Sequence, residues 1–139
     1  MYKEQDLEMG IQTLWDDDEK TIVRYEYSPG WTWDDFFIAV EQGKKLTLSV
    51  PHRVDYIANF NGTSSPQGGS AMGNTKIAIR NRAPNGHMIV TVNNMFMTMM
   101  LNLFKSLDKD LGKYLHGVTS LEEARAYIRR IREQERERA

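Results

Sequence analysis

Between residues 21 and 27 the chain alternates: Val23, Tyr25 and Tyr27 fall on one side, Ile22, Arg24 and Glu26 on the other. A period of two carried by β-branched and aromatic residues predicts a strand. Residues 11–15 predict a second, short strand, and the polar run DDDEK at 16–20 predicts the turn between them. The two segments therefore read as an antiparallel hairpin. Ser28-Pro29-Gly30 ends it. Thr32 then offers a helix cap, Asp34 and Asp35 suit the positive end of a helix dipole, and Trp33, Phe36, Phe37 and Val40 recur at helical spacing. This helix is expected to continue past Gly43 to Leu48.

Beyond Pro51 the period changes again. Residues 53–60, RVDYIANF, predict a strand that opens into the hydroxyl-rich loop NGTSSPQGGS. Residues 70–83 read as a helix with Ile77 and Ala78 on its apolar side. Ile77 and Ile79 also alternate, so a strand stands as the alternative there. Pro84-Asn85-Gly86 is a strong break. Residues 87–92 predict a buried strand, 95–107 a helix apolar nearly all round, and 114–118 a short strand. Ser120, with Glu123 three residues on, predicts a capping box for a last helix whose stripe is Leu121, Ala124, Ile128 and Ile131. Residues 1–9 predict a mobile arm and 133–139 a charged helix end. The order β-β-α-β-α-β-α-β-α predicts one α/β domain over residues 10–132. Its sheet should be mostly parallel and five-stranded, opened by the antiparallel hairpin, with right-handed crossovers and about four helices.

Composition changes this picture mainly by exclusion. At 139 residues the chain suits one domain with a core large enough to need no staples. A net charge of −1 argues against a general nucleic-acid binder. The absence of cysteine removes disulfides, thiol catalysis and cysteinyl metal sites, and fits a cytoplasmic location. No run approaches the roughly 20 apolar residues of a membrane span, so no integral membrane segment is expected. The start MYKEQDLE lacks the apolar core of a secretion signal, and Asn61-Gly62-Thr63 is therefore expected to match the glycosylation sequon by chance.

Five pieces follow one another in a familiar order: the hairpin with TIVRYEY, the helix beginning WTWDDF, the strand VDYIANF with its loop, the strand HMIVTVNN, and the ending YLHGVTSLEEARAYI. Over residues 10–131 the chain resembles the STAS domain of bacterial anti-sigma-factor antagonists, and within it the SpoIIAA-like group of small stand-alone proteins. The resemblance implies a SpoIIAA-like sandwich, a regulatory role and a protein partner. It also implies a phosphoacceptor serine at the start of the second helix, where Ser64 and Ser65 stand. The aspartate that commonly precedes such a serine is absent; Asn61-Gly62 occupies its place and Pro66 follows.

In a parallel sheet the loops after the strands gather on one edge. That places Trp31, Trp33, Asn61, Thr63, Asn93, Asn94 and Thr119 together, and predicts a shallow binding cleft with aromatic walls and amide donors. The competing reading makes Trp33 core and Trp31 its cover, with the asparagines and serines as turns and caps. Gly68 and Gly69 lack the residues that complete a phosphate loop. His52 and His87 precede strands on the opposite edge and His116 lies in the last strand, with no metal-ligand spacing among them. The aspartates at 16–18 and 34–35 read as a turn and a helix start. In the Met-rich helix, a surplus face of Met97, Met100, Leu101 and Phe104 is expected to meet a second copy, a target protein or lipid; cover by the last helix or the N-terminal arm is the alternative.

No catalytic constellation is visible, so neither enzymatic activity nor a cofactor is expected. The first expectation is a regulatory or protein-interaction module, working as a homodimer or with a protein partner. The alternative is a carrier of a small apolar ligand or lipid.

Overall fold

The alternating segment at 21–27 is the second strand of a five-stranded mixed sheet. The computed structural model describes residues 10–66 and 70–138; the expected arm at 1–9 and the pair Gly68-Gly69 lie outside them. In chain order the elements are β1 (Ile11–Trp15), β2 (Ile22–Tyr27), α1 (Trp33–Leu48), β3 (Val54–Asn59), α2 (Ala71–Arg80), β4 (Gly86–Val92), α3 (Met95–Leu107), α4 (Lys109–Tyr114), β5 (Leu115–Val118) and α5 (Leu121–Arg138). The strands lie side by side in sequence order. β1 and β2 form the expected antiparallel hairpin, with Ile11 opposite Tyr27 and Trp15 opposite Val23. The remaining pairings are parallel.

Local chemistry sets the helix ends. Thr32 and Asp35 form a reciprocal capping box on α1: the Asp35 amide donates to Thr32 Oγ1 at 3.1 Å, and the Thr32 amide donates to Asp35 Oδ2 at 3.0 Å. Gly43 sits inside α1, where glycine costs about 1 kcal/mol against alanine. A Cβ there would stand 1.9 Å from the Tyr25 hydroxyl, so glycine is what lets α1 approach β2. The segment at 70–83 is a helix, with Ser70 accepting from the Gly73 amide at 2.9 Å. At α5, Ser120 accepts from the Glu123 amide as expected, but the Glu123 carboxylate reaches back one residue further, to the Thr119 amide at 3.0 Å.

Two differences from the expected elements stand out. Among the described residues the helices number five, because α4 stands in a stretch for which no element was expected. Asp108 makes that turn possible: its carboxylate accepts from the Asp110 amide and its carbonyl from the Gly112 amide. As a result Tyr114 ends a helix, and the last strand begins at Leu115. The charged end is helical through Arg138.

The two faces of the sheet are covered differently. Ile22, Ile57, Val90 and Val118 pack under Ala124 and Ile128 of α5. Val23, Tyr25, Tyr56 and Ala58 face the other way, toward α1. Salt bridges fasten α5. Asp55, fully buried in β3, accepts from Arg53, from Arg132 and from the Met88 amide. Arg125 pairs with Asp16 at 2.8 Å, and Glu135 with Arg53. Among the described residues no helix is long and apolar enough to cross a membrane.

Replacing Asp55 by alanine leaves two guanidinium groups at the sheet without their shared carboxylate. The substitution should lower the unfolding free energy by about 3 kcal/mol or more. Urea denaturation checks this, with the exposed Arg129→Ala expected within about 0.5 kcal/mol of the parent.

Candidate functional site

Between the sheet and helices α1, α2 and α3 lies a cavity of about 500 Å³. Its floor is the face of β2, β3 and β4 that carries Tyr25, Tyr56, Ala58, Ile89 and Thr91. Ala58 is a small residue at the centre of this floor, which leaves depth above it. Each wall is a row at helical spacing. α1 contributes Phe36, Val40 and Lys44; α2 contributes Met72, Thr75 and Ala78; α3 contributes Phe96, Met97, Met100, Leu101 and Phe104. Thr63, Ser64, Ser65, Asn93 and Asn94 form a polar rim beyond the strand C-termini. Asn81, Arg82 and Ala83 line the opposite end, just before β4.

The structure sorts the residues of the expected cleft into two groups. Thr63, Asn93 and Asn94 line the cavity with Ser64 and Ser65. Trp31, Trp33 and Asn61 do not, and each supports the rim from behind. Trp31 is buried in an aromatic cluster, with its ring 4.8 Å from Tyr27 and 5.1 Å from Trp33, and its indole N–H donates to Thr63 Oγ1 at 3.0 Å. Asn61 adopts a left-handed conformation with φ 52°, and its amide donates to Glu26 Oε1 and to the Tyr27 carbonyl. Gly62 follows with φ 74°, so Asn61-Gly62 reverses the chain after β3. Asn94 caps α3, accepting from the Met97 amide at 2.8 Å, and Asn93 donates to Thr91 Oγ1. Thr119 holds Glu123 at the start of α5.

Ser64 and Ser65 are exposed. The next helix begins at Ala71 under its own cap, Ser70, so the two hydroxyls stand ahead of that helix rather than on its first turn.

Helix α3 is turned in an unusual way. Its polar residues Thr98 and Asn102 face the protein. Asn102 meets the backbone of Gly117 on edge strand β5, accepting from its N–H at 3.3 Å and donating to its carbonyl at 3.5 Å. Thr98 Oγ1 donates to the Val118 carbonyl at 3.1 Å. These side chains satisfy an edge that would otherwise lack partners. Met97, Met100, Leu101 and Phe104, the expected contact face, turn to the cavity. A further row, Met95, Met99, Leu103 and Leu107, stands at 55% exposure or more.

The histidines lie apart from the cavity. His52 Nε2 is 2.8 Å from the Lys20 carbonyl. Burial pushes the His87 imidazole down, with Arg53 adding to the effect. His116 stacks on Tyr127 at 3.9 Å, and the Lys105 ammonium donates to its Nδ1 at 2.8 Å. Burial, helped by the charges of Lys105 and Arg130, pushes His116 down to about 4. Among the described residues no group of three His, Asp or Glu side chains could hold a metal ion. The cavity lining offers hydroxyls, amides and two cations, and holds neither carboxylate nor imidazole among the described residues.

Several lining residues carried no signal in the sequence: Tyr25, Tyr56, Lys44, Met72, Thr75 and Arg82. The available clue is the row Phe36, Val40, Lys44, which continues an apolar helical stripe into a charge. No protein-family model, curated protein or solved structure matches this chain significantly. The fold and cavity therefore define an α/β protein with a one-sided helical pocket.

A histidine whose folded pKa is depressed stabilises the fold fully above its unfolded value, and that contribution is lost as pH falls toward the folded value. Stability should thus decline between pH ~6.5 and about 4 on account of His116. His116→Phe, which keeps a ring on Tyr127, should flatten that part of the profile in thermal melts taken across the range.

Proposed function

We propose that this chain is a non-enzymatic binding protein that holds a small apolar ligand between its sheet and the helices α1, α2 and α3. The observation that carries the reading is the cavity of about 500 Å³, which falls in the range of roughly 300–1,000 Å³ common to small-molecule sites. Close-packed interiors leave few voids larger than a water molecule. A space this large, apolar along its walls and polar at both ends, suits an occupant with an apolar body. Flexible methionines on α3 suit a site that adapts to such a body.

Ala58→Phe tests the reading from the floor. The added ring fills the cavity, and uptake of the neutral dye Nile red should weaken by about tenfold or more with the circular dichroism spectrum unchanged. Native mass spectrometry of freshly purified protein gives an independent check through a retained apolar ligand. A protein-only mass together with no dye uptake by the parent would rule the reading out.

A second reading is the regulatory module of STAS, SpoIIAA-like type, acting through a protein partner or as a homodimer. What supports it is the exposure of Ser64 and Ser65 on one rim of an α/β domain opened by an antiparallel hairpin. Under this reading, protein isolated from its host carries phosphate on Ser64 or Ser65, and mass spectrometry that finds both unmodified counts against it.

A further inference from the structure

The cavity has charge at one end only. Lys44 lies on the inward row of α1, four residues beyond Val40 and eight beyond Phe36, and is half-buried. α1 runs back from the C-terminal edge of the strands, so Lys44, near its end, lies toward the edge where Arg82 precedes β4. Arg82 donates from Nε to the Gly86 carbonyl at 3.2 Å and from Nη1 to the Ile79 carbonyl at 2.8 Å, and its guanidinium covers the Tyr114 ring at 3.9 Å. Neither cation has a carboxylate within ion-pair distance among the described residues.

This departs from how the protein treats most of its other half-buried cations, of which Lys105 instead meets the neutral ring of His116. Arg24, Arg53 and Arg132 each pair with aspartate, as does Lys76 with Asp108. A partly desolvated charge without a counter-charge is unfavourable, and an anion that supplies one gains a charge-assisted bond. The Tyr25 hydroxyl abuts Gly43, the residue before Lys44, and adds a hydroxyl to the same end. At the far rim Thr63, Ser64 and Asn93 are uncharged, and between the two ends the walls are apolar.

Resting on the reading of this cavity as a ligand site, we propose that its ligand is an amphipathic anion: an apolar chain along the Met-lined wall with an acidic headgroup, carboxylate or phosphate, at Lys44 and Arg82. Lys44 supplies the mobile charge. Arg82, fixed by two carbonyls and the Tyr114 ring, supplies a stationary one.

The test displaces Nile red from the full chain with hexadecanoic acid, hexadecyl phosphate and hexadecan-1-ol at equal chain length. At least one anion should bind about tenfold more tightly than the alcohol. Lys44→Gln should bring that anion close to the alcohol while leaving the alcohol unchanged, and Lys44→Arg should keep the preference. Preference for the acid alone or the phosphate alone supports the proposal and names the headgroup. Equal displacement by all three, or a preference that survives Lys44→Gln, overturns the anionic assignment and leaves the ligand site standing. Displacement by none overturns the ligand site itself. The comparison of the three probes on the parent protein needs no variant, so a misfolded Lys44→Gln would not shield the proposal.

Discussion

Width is the constraint on which this structure turns. Each of β2 to β5 pairs with its neighbour in sequence, and parallel connections of that kind are right-handed, so α1, α2 and α3 share one face. Five strands spaced ~4.8 Å apart span roughly 20 Å. Three helices, each about 10 Å across, need about 30 Å. They cannot all lie flat. α1 packs over the β1–β2 hairpin at one side and α3 over β5 at the other. The space between becomes the cavity, above Tyr56, Ala58, Ile89 and Thr91.

The opposite face solves an easier problem. Among the described residues α5 covers it, and the apolar residues of the sheet pack closely under Ala124 and Ile128. Its buried Asp55 carboxylate is shared by two arginines and a backbone amide. One face is thus charge-balanced and filled, while the other carries unbalanced cations over an open volume. The asymmetry separates the cavity from the ties that fasten α5, since substitutions on the cavity walls leave those ties untouched.

Most of the architecture was legible in the sequence, and the site less so. The period-two run at 21–27, the capping residues Thr32 and Ser120, and the breaks at Pro51 and Pro84 mark elements through local chemistry. α4 escaped because its turn depends on Asp108 holding two amides, a local choice that aspartate also makes in loops. The rim residues Thr63, Asn93 and Asn94 were visible because strand ends gather on one edge. The walls were not, because Lys44, Met72 and Arg82 come from separate elements and meet only after the helices splay. α3 shows a further limit of pattern reading. An amphipathic rule turns polar residues outward, whereas Asn102 and Thr98 turn inward to complete the edge of β5.

The ties of α5 bear on how the chain comes to be folded. Strand pairing needs only neighbours in sequence, so the sheet and the cavity helices can assemble progressively as the chain lengthens. The bonds from Arg125 to Asp16 and from Arg132 to Thr21 span 109 and 111 residues. Until residues 121–138 leave the ribosome, Ile22, Ile57 and Val90 lack the cover of Ala124 and Ile128. A nascent chain of this protein therefore passes through a stage in which its cavity face is built while its other face lacks α5, and that face is the one a chaperone would meet.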